Sequence, residues 1–244
     1  MVQAVNLVEV FSSIQGEGLF VGCRQVFVRL AGCNLSCHYC DTPASRGVMS
    51  CAQVEAQPGQ RQFITMQNPV DITLLATRIN QLLVLPHHSV SLTGGEPLLQ
   101  WEAIVKLAPL VNGQKYLETN GILYQELEMV LPHIDIISMD IKLPSAGKTE
   151  YWVEHKSFLQ TAAAKKVFVK IVITAETNVD EFEYALNLIK TVGRHIPLIL
   201  QPVSPNSLCR AAMPETMLSL QEKALRVLED VRVIPQTHKF MGQL

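Results

Sequence analysis

The sequence predicts an α/β fold, an incomplete β/α barrel with about six parallel core strands, and two observations carry that expectation. Short apolar strands alternate with one-sided helical stretches, the pattern of a parallel sheet covered by helices. Polar and glycine-bearing groups also recur at the C-terminal ends of successive strands: Cys33, Gly94–Pro97, Glu118–Gly121, Asp140–Lys142, Gln201 and Gln236–Lys239. A barrel gathers such loops round one site, whereas a flat doubly wound sheet unites only those at a strand-order switch.

Taken in order, residues 4–10 and 25–31 are strand-like, rich in Val, Leu and Phe, with a Gly-rich stretch between Gly16 and Gly22 separating them. An irregular insert is expected at about 43–69, where the chain turns polar and is punctuated by Gly47, Pro58, Gly59 and Pro69. Asp71 caps a helix reaching about Leu85, with Leu75, Ile79, Leu82 and Leu83 on one face. A strand at 89–93 ends in GGEP; a helix from about 98 to 110 leads to a strand at 115–118 ending in ETNG. The run IDIISMD (134–140) is the next strand, and a helix lies near 150–164. VFVKIVI (167–173) reads as the clearest buried strand, followed by a helix near 179–192. A strand at 196–201, a helix at about 215–229 and a final strand, VRVIPQ, complete the pattern.

At 244 residues the chain fits a single domain over 1–244, and 48% apolar residues supply a substantial core. A net charge of -2 argues against broad nucleic-acid or membrane binding through a basic surface. Neither a transmembrane run nor a secretory signal is legible, so a cytoplasmic protein is expected.

Six cysteines stand at 23, 33, 37, 40, 51 and 209, three of them within eight residues. A chain this long needs no disulfide staples, so the clustering asks for a metal. In AGCNLSCHYCDTP, Cys33, Cys37 and Cys40 form a CxxxCxxC loop whose soft sulfur ligands favour iron–sulfur or zinc. Ordinary cluster carriers supply four thiolates. With three, one iron of a cube stays open for chemistry unless Cys23, Cys51 or Cys209 closes it from afar.

CNLSCHYC resembles the signature of the radical S-adenosylmethionine enzymes. The resemblance implies their incomplete barrel, a [4Fe-4S] cluster on Cys33, Cys37 and Cys40, and S-adenosylmethionine chelating the fourth iron to yield a 5'-deoxyadenosyl radical. It carries further residues with it. Tyr39 packs near the adenine, and Gly94, Gly95 and Glu96 of GGEP take the cofactor's amino group or shape the loop that does. Thr119 and Asn120 of ETNG, Ser138 and Lys142 of SMDIK, and Gln201 of QPVSP complete the cofactor contacts. Read as residues alone, GGEP is also an ordinary helix-start turn and ETNG an Asx-turn.

The opening FSSIQGEGLFVGCRQVFVRLAGCNLSCHYCDTP is similar to the 7-carboxy-7-deazaguanine synthase family within that group, and the likeness runs on through GGEP, ETNG, MDIK and QTHK. It implies conversion of 6-carboxy-5,6,7,8-tetrahydropterin to 7-carboxy-7-deazaguanine with release of ammonia, in queuosine and deazapurine biosynthesis. It also implies Mg2+ near Thr42, a homodimer, and a flavodoxin- or ferredoxin-type electron donor. Gln15, Glu17 and Gly18 are candidates to read the pterin edge, since a carboxylate accepts from exocyclic and ring N–H groups and glycine allows close approach. Arg29, within an apolar strand, needs a partner that a substrate carboxylate would provide. His238 and Lys239 are candidates at the same barrel end, with the Leu244 carboxylate as a further candidate there. Two rivals stay open here: an activase making a glycyl radical on a partner protein, and a non-catalytic iron–sulfur electron carrier. A zinc-stabilised module is a third.

Overall fold

The structure is a computed structural model and describes residues 3–147 and 149–243, so Leu244 lies outside the described residues. The chain opens with β1 (Ala4–Val5) and β2 (Leu7–Ile14), and β3 (Arg24–Leu30) returns antiparallel to β2. The insert corrects the sequence expectation, because it is not irregular. It folds into a hairpin, β4 (Cys51–Glu55) and β5 (Phe63–Gln67), that pairs with the free side of β2. Ala52 and Val54 are fully buried while Gln53, Thr65 and Gln67 face out. A half-buried edge hairpin alternates in this way, and its outward polar half disguises it as loop.

β6 (Val70–Asp71) pairs with β1 and leads into α1 (Ile72–Leu82), capped as expected by Asp71, whose Oδ1 accepts from Leu74 N at 2.9 Å. Then follow β7 (Ser89–Gly94), α2 (Trp101–Leu107), β8 (Lys115–Thr119), α3 (Tyr124–Val130) and β9 (Ile136–Asp140). Next come α4 (Pro144–Gly147), α5 (Trp152–Ala162), β10 (Lys166–Ile173), α6 (Val179–Val192) and β11 (Leu198–Pro202). α7 (Pro214–Leu225), β12 (Val231–Val233) and α8 (Thr237–Phe240) end the chain. The helix expected over 98–110 is α2 flanked by 3-10 turns, Pro97–Gln100 and Ala108–Leu110, each with a proline in its first turn. α3 is a helix with no counterpart in the sequence reading, because seven residues are too few to display a helical period.

The large sheet runs β12-β11-β10-β9-β8-β7-β3-β2-β4-β5. β3 and β7 to β12 are parallel throughout, and the sheet does not close into a barrel. β10 shows how the layers are set. Val167, Val169, Ile171 and Ile173 join the core shared with the helices, while Phe168, Lys170 and Val172 alternate to the inner face. The inner face is plugged at its lower end. Leu19, Phe20 and Ile234 pack on Tyr116, Ile136, Phe168 and Ile199, four side chains from four adjacent strands. No described helix is long and apolar enough to cross a membrane.

Candidate active site

A cavity of about 480 Å3 opens at the C-terminal ends of the parallel strands, within the several-hundred-Å3 range of small-molecule sites. Cys33, Cys37 and Cys40 all line it, on the loop that leaves β3. Arg46 donates to the Cys37 carbonyl at 2.6 Å and Leu35 N–H points at Cys33 Sγ at 3.4 Å. Burial pushes the Cys33 thiol up from its ordinary range, so a thiolate there calls for a cation, as a bound metal provides. Cys23, Cys51 and Cys209 do not line the cavity, and all six cysteines are free thiols. Cys209 packs behind Tyr39, Val172 and Val203 of the lining.

The GGEP turn is built against the cysteine loop. A Cβ on Gly94 would lie 2.1 Å from the Leu30 carbonyl oxygen, and one on Gly95 would lie 2.1 Å from that of Gly32. Only glycine permits that approach. Of the two roles open to Glu96, its placement fits the shaping of the loop: it is fully buried and off the cavity wall. Its carboxylate accepts from Leu98 N (3.0 Å), Thr119 Oγ1 (2.9 Å) and Asn120 N (2.8 Å), tying this turn to ETNG. Burial lifts its pKa to about 7 against the pull of those donors. His155, unsuspected from sequence, performs the same service between the ETNG loop and the loop carrying Lys142. One ring nitrogen bonds the Gly121 carbonyl at 2.9 Å, and the other accepts from Lys142 N at 3.1 Å.

Thr119, Asn120, Ser138, Lys142, Gln201 and Tyr39 reach the cavity as expected. Lys142 is held 2.7 Å from Asp140 and lies over the Tyr39 ring at 5.0 Å. Burial raises the Tyr39 phenol, which stays protonated. Three buried acceptors on this wall, Asn120 Oδ1, Asp140 Oδ1 and Gln201 Oε1, have no hydrogen-bond partner among the described residues. An unpaired buried acceptor costs about 1–3 kcal/mol, which a ligand donor would recover. These orphans and the glycine cradle fit a ligand rich in N–H and O–H groups.

The rest of the lining is ionic. Arg29 donates through Nε to Glu9 at 2.8 Å and lies over the Phe11 ring. Its two terminal nitrogens make no hydrogen bond with the described residues, although the side chain is only 14% exposed and borders the cavity. Glu17 pairs with Lys170, and Lys170 stands 3.8 Å from Asp140. Burial opposes the Glu17 charge, but Lys170 and the hydrogen bond from Gln236 prevail and bring its pKa down to about 2. Lys170 escaped the sequence reading, although as a lone charge in an apolar strand it carried the signal that marks Arg29. Gln15 borders the cavity, yet its amide donates to Glu118 (2.7 Å) and Gln25 (3.1 Å), and its Oε1 accepts from Glu17 N. It therefore holds Glu17 in place. Gly18 is a further correction. It sits in the plug below, with φ +67 and a Cβ position 2.6 Å from the Phe168 ring, away from the cavity wall.

His238 and Lys239 border the cavity, and Lys239 donates to Gln236 Oε1 at 2.6 Å. Gln236 in turn donates to Asp41 (2.7 Å) and Glu17 (2.8 Å). Thr42 is on the same wall, and Glu17, Asp41 and His238 each offer a ligand atom within 4.8 Å of the others. Two carboxylates and an imidazole within that reach are donors that a divalent cation takes.

Residues 14–157 match the family model described as a 4Fe-4S single cluster domain. The chain is similar to a 7-carboxy-7-deazaguanine synthase of Geobacter sulfurreducens, 46% identical over 98% of both chains. It is also similar to one from Archaeoglobus fulgidus, 36% identical over 97% of this chain and 98% of that one. Among solved structures it shares its fold with QueE from Escherichia coli, at a TM-score of 0.59 and 17% identity over 96% of this chain and 93% of the other. A radical SAM methyltransferase from Sphaerobacter thermophilus is similar at a TM-score of 0.58 and 11% identity, over 86% of this chain and 66% of that one.

Proposed function

We infer the reaction of this chain from the premise that it belongs to the 7-carboxy-7-deazaguanine synthase family of radical S-adenosylmethionine enzymes. It converts 6-carboxy-5,6,7,8-tetrahydropterin to 7-carboxy-7-deazaguanine and ammonia. One observation carries the reading: three thiols and an ionic wall of opposite charges share a single cavity. An electron carrier needs no such ionic lining, and an activase for a protein substrate has no use for a shielded Glu17–Lys170 pair beside its thiols.

Cys33, Cys37 and Cys40 would hold the [4Fe-4S] cluster, which with S-adenosylmethionine supplies the radical chemistry when bound. Lys142 would face the cofactor's carboxylate, and the unpaired oxygens of Asn120 and Gln201 would accept from its amino, ribose or adenine donors. The terminal nitrogens of Arg29 would grip a carboxylate as a pair of parallel donors. Glu17, kept ionised by Lys170, accepts from the N–H groups of an aminopyrimidinone. Holding both ends at once turns hydrogen transfer into a positioned event, a gain that belongs to the protein's residues. Thr42, with Asp41 beside it, would contribute to Mg2+ that also meets the substrate. A homodimer and a flavodoxin- or ferredoxin-type donor belong to the same reading.

The test is anaerobic reconstitution with iron and sulfide, then spectroscopy with and without S-adenosylmethionine. The expected result is a spectral change on cofactor addition, 5'-deoxyadenosine formation, and the deazaguanine product when carboxytetrahydropterin, reductant and Mg2+ are present. A fully reconstituted sample that forms no such product sinks the assignment.

A further inference from the structure

The C-terminal tail has an anchoring problem that the β4–β5 hairpin solves. α8 and the residues after it bring His238, Lys239 and Gln243 to the cavity, yet α8 buries none of its own side chains, and Phe240 is 84% exposed. A four-residue helix without an apolar face has little intrinsic stability. Hydrogen bonds must therefore hold it. At its start Thr237 N–H donates to the Gly16 carbonyl at 2.9 Å, and His238 packs where Gly16 lacks a Cβ. At its end the Arg61 guanidinium donates to the Gly242 carbonyl at 2.7 Å and reaches Gln243 Oε1 at 3.4 Å. Ser13 Oγ donates to the same Gln243 oxygen at 3.3 Å.

Arg61 is itself held in an unusual pose. It has φ +55 in the turn between β4 and β5, and it is the one non-glycine residue with positive φ among those described. That conformation is disfavoured for a residue with a Cβ. Its N–H donates to Glu55 Oε1 at 2.8 Å, while Glu55 Oε2 accepts from Ser12 N at 2.8 Å. Buried Glu55 thus fastens the turn to β2, next to Ser13.

We propose that the β4–β5 hairpin is a strap for the C-terminal tail, and that Arg61 is a positioning residue for the substrate side of the cavity. The proposal rests on the functional reading above for what the tail touches, but not for the strap itself. It gives the insert a role, since the hairpin carries the arginine to the far end of a tail that cannot anchor itself.

The decisive variant is Arg61→Gly, because glycine adopts the left-handed turn without strain and only the guanidinium is lost. Hydrogen–deuterium exchange on the apo chain should show residues 237–243 exchanging about fivefold faster, the loss of roughly one hydrogen bond, with β4 and β5 unchanged. In the reconstituted enzyme the substrate KM should rise about threefold to tenfold, while the KM for S-adenosylmethionine and kcat hold. Unchanged exchange in the tail overturns the proposal. So does faster exchange through β4 and β5 as well, which would make Arg61 a support of the hairpin alone. If the parent enzyme makes no deazaguanine the functional reading fails, yet the exchange comparison still decides the strap.

Discussion

Replacing Lys170 by methionine should cost more stability than any single surface change and should reverse the pH response of Glu17. Lys170, Glu17 and Asp140 have side chains only 14%, 16% and 12% exposed, so the charges are poorly solvated. At the 3.8 Å separating Lys170 from Asp140, the attraction at an effective dielectric near 20 is about 4 kcal/mol. Desolvation offsets much of such a gain, but removing one partner strands the other, and a broken buried pair costs about 3–5 kcal/mol. Asp140 keeps Lys142 at 2.7 Å, so the stranded group is Glu17. In the parent its pKa of about 2 lies below the ordinary 4.5, so its contribution is full above pH 4.5 and is lost as pH falls toward 2. Without Lys170, burial governs and the pKa rises above the ordinary value. The penalty should then be largest at pH 7 and shrink as the medium is acidified. The assay is urea unfolding of the apo chain by far-UV circular dichroism at pH 7 and pH 5, in wild-type and Glu17→Gln backgrounds. Lys170→Met should cost about 3–5 kcal/mol alone and markedly less beside Glu17→Gln. A loss under about 1 kcal/mol, as for a solvated pair, or one equal in both backgrounds, refutes the reasoning.

Arg29→Ala should lower kcat/KM for the pterin about 10- to 100-fold, the value of a hydrogen-bonded charge; iron content that fell in step would mean the residue serves cluster assembly instead. Cys37→Ala removes one of three thiolates, so 5'-deoxyadenosine formation should vanish, and a full rate would contradict the ligand assignment. His155 is held neutral, its pKa pushed from 6.5 to about 4 chiefly by burial. The unfolded chain takes up a proton that the folded one refuses between those values, so stability falls as pH drops from 6.5 toward 4, by about 3 kcal/mol at most. His155→Gln should flatten that slope in urea titrations at pH 7 and pH 5; an unchanged slope would show that other groups set it.

The cysteine loop, the glycine turn and the strand–helix alternation were legible because each is written in neighbouring residues. CxxxCxxC needs one loop, and a buried strand such as 167–173 declares itself by its apolar run. The same local text was silent on partners. Nothing near Lys170 in sequence names Glu17, 153 residues away, and nothing near Arg29 names Glu9 across the β2–β3 pairing. Gly18 looked like a ligand contact and proved to be part of a plug under Phe168. The insert looked like loop because its outward side chains are polar, and sheet pairing made it a hairpin. Period and turn chemistry act over a few residues, so sequence alone determined most of the elements and the three-cysteine loop. Which side chains share a wall follows from strand order and from which face each strand buries, and only the tertiary structure decided that.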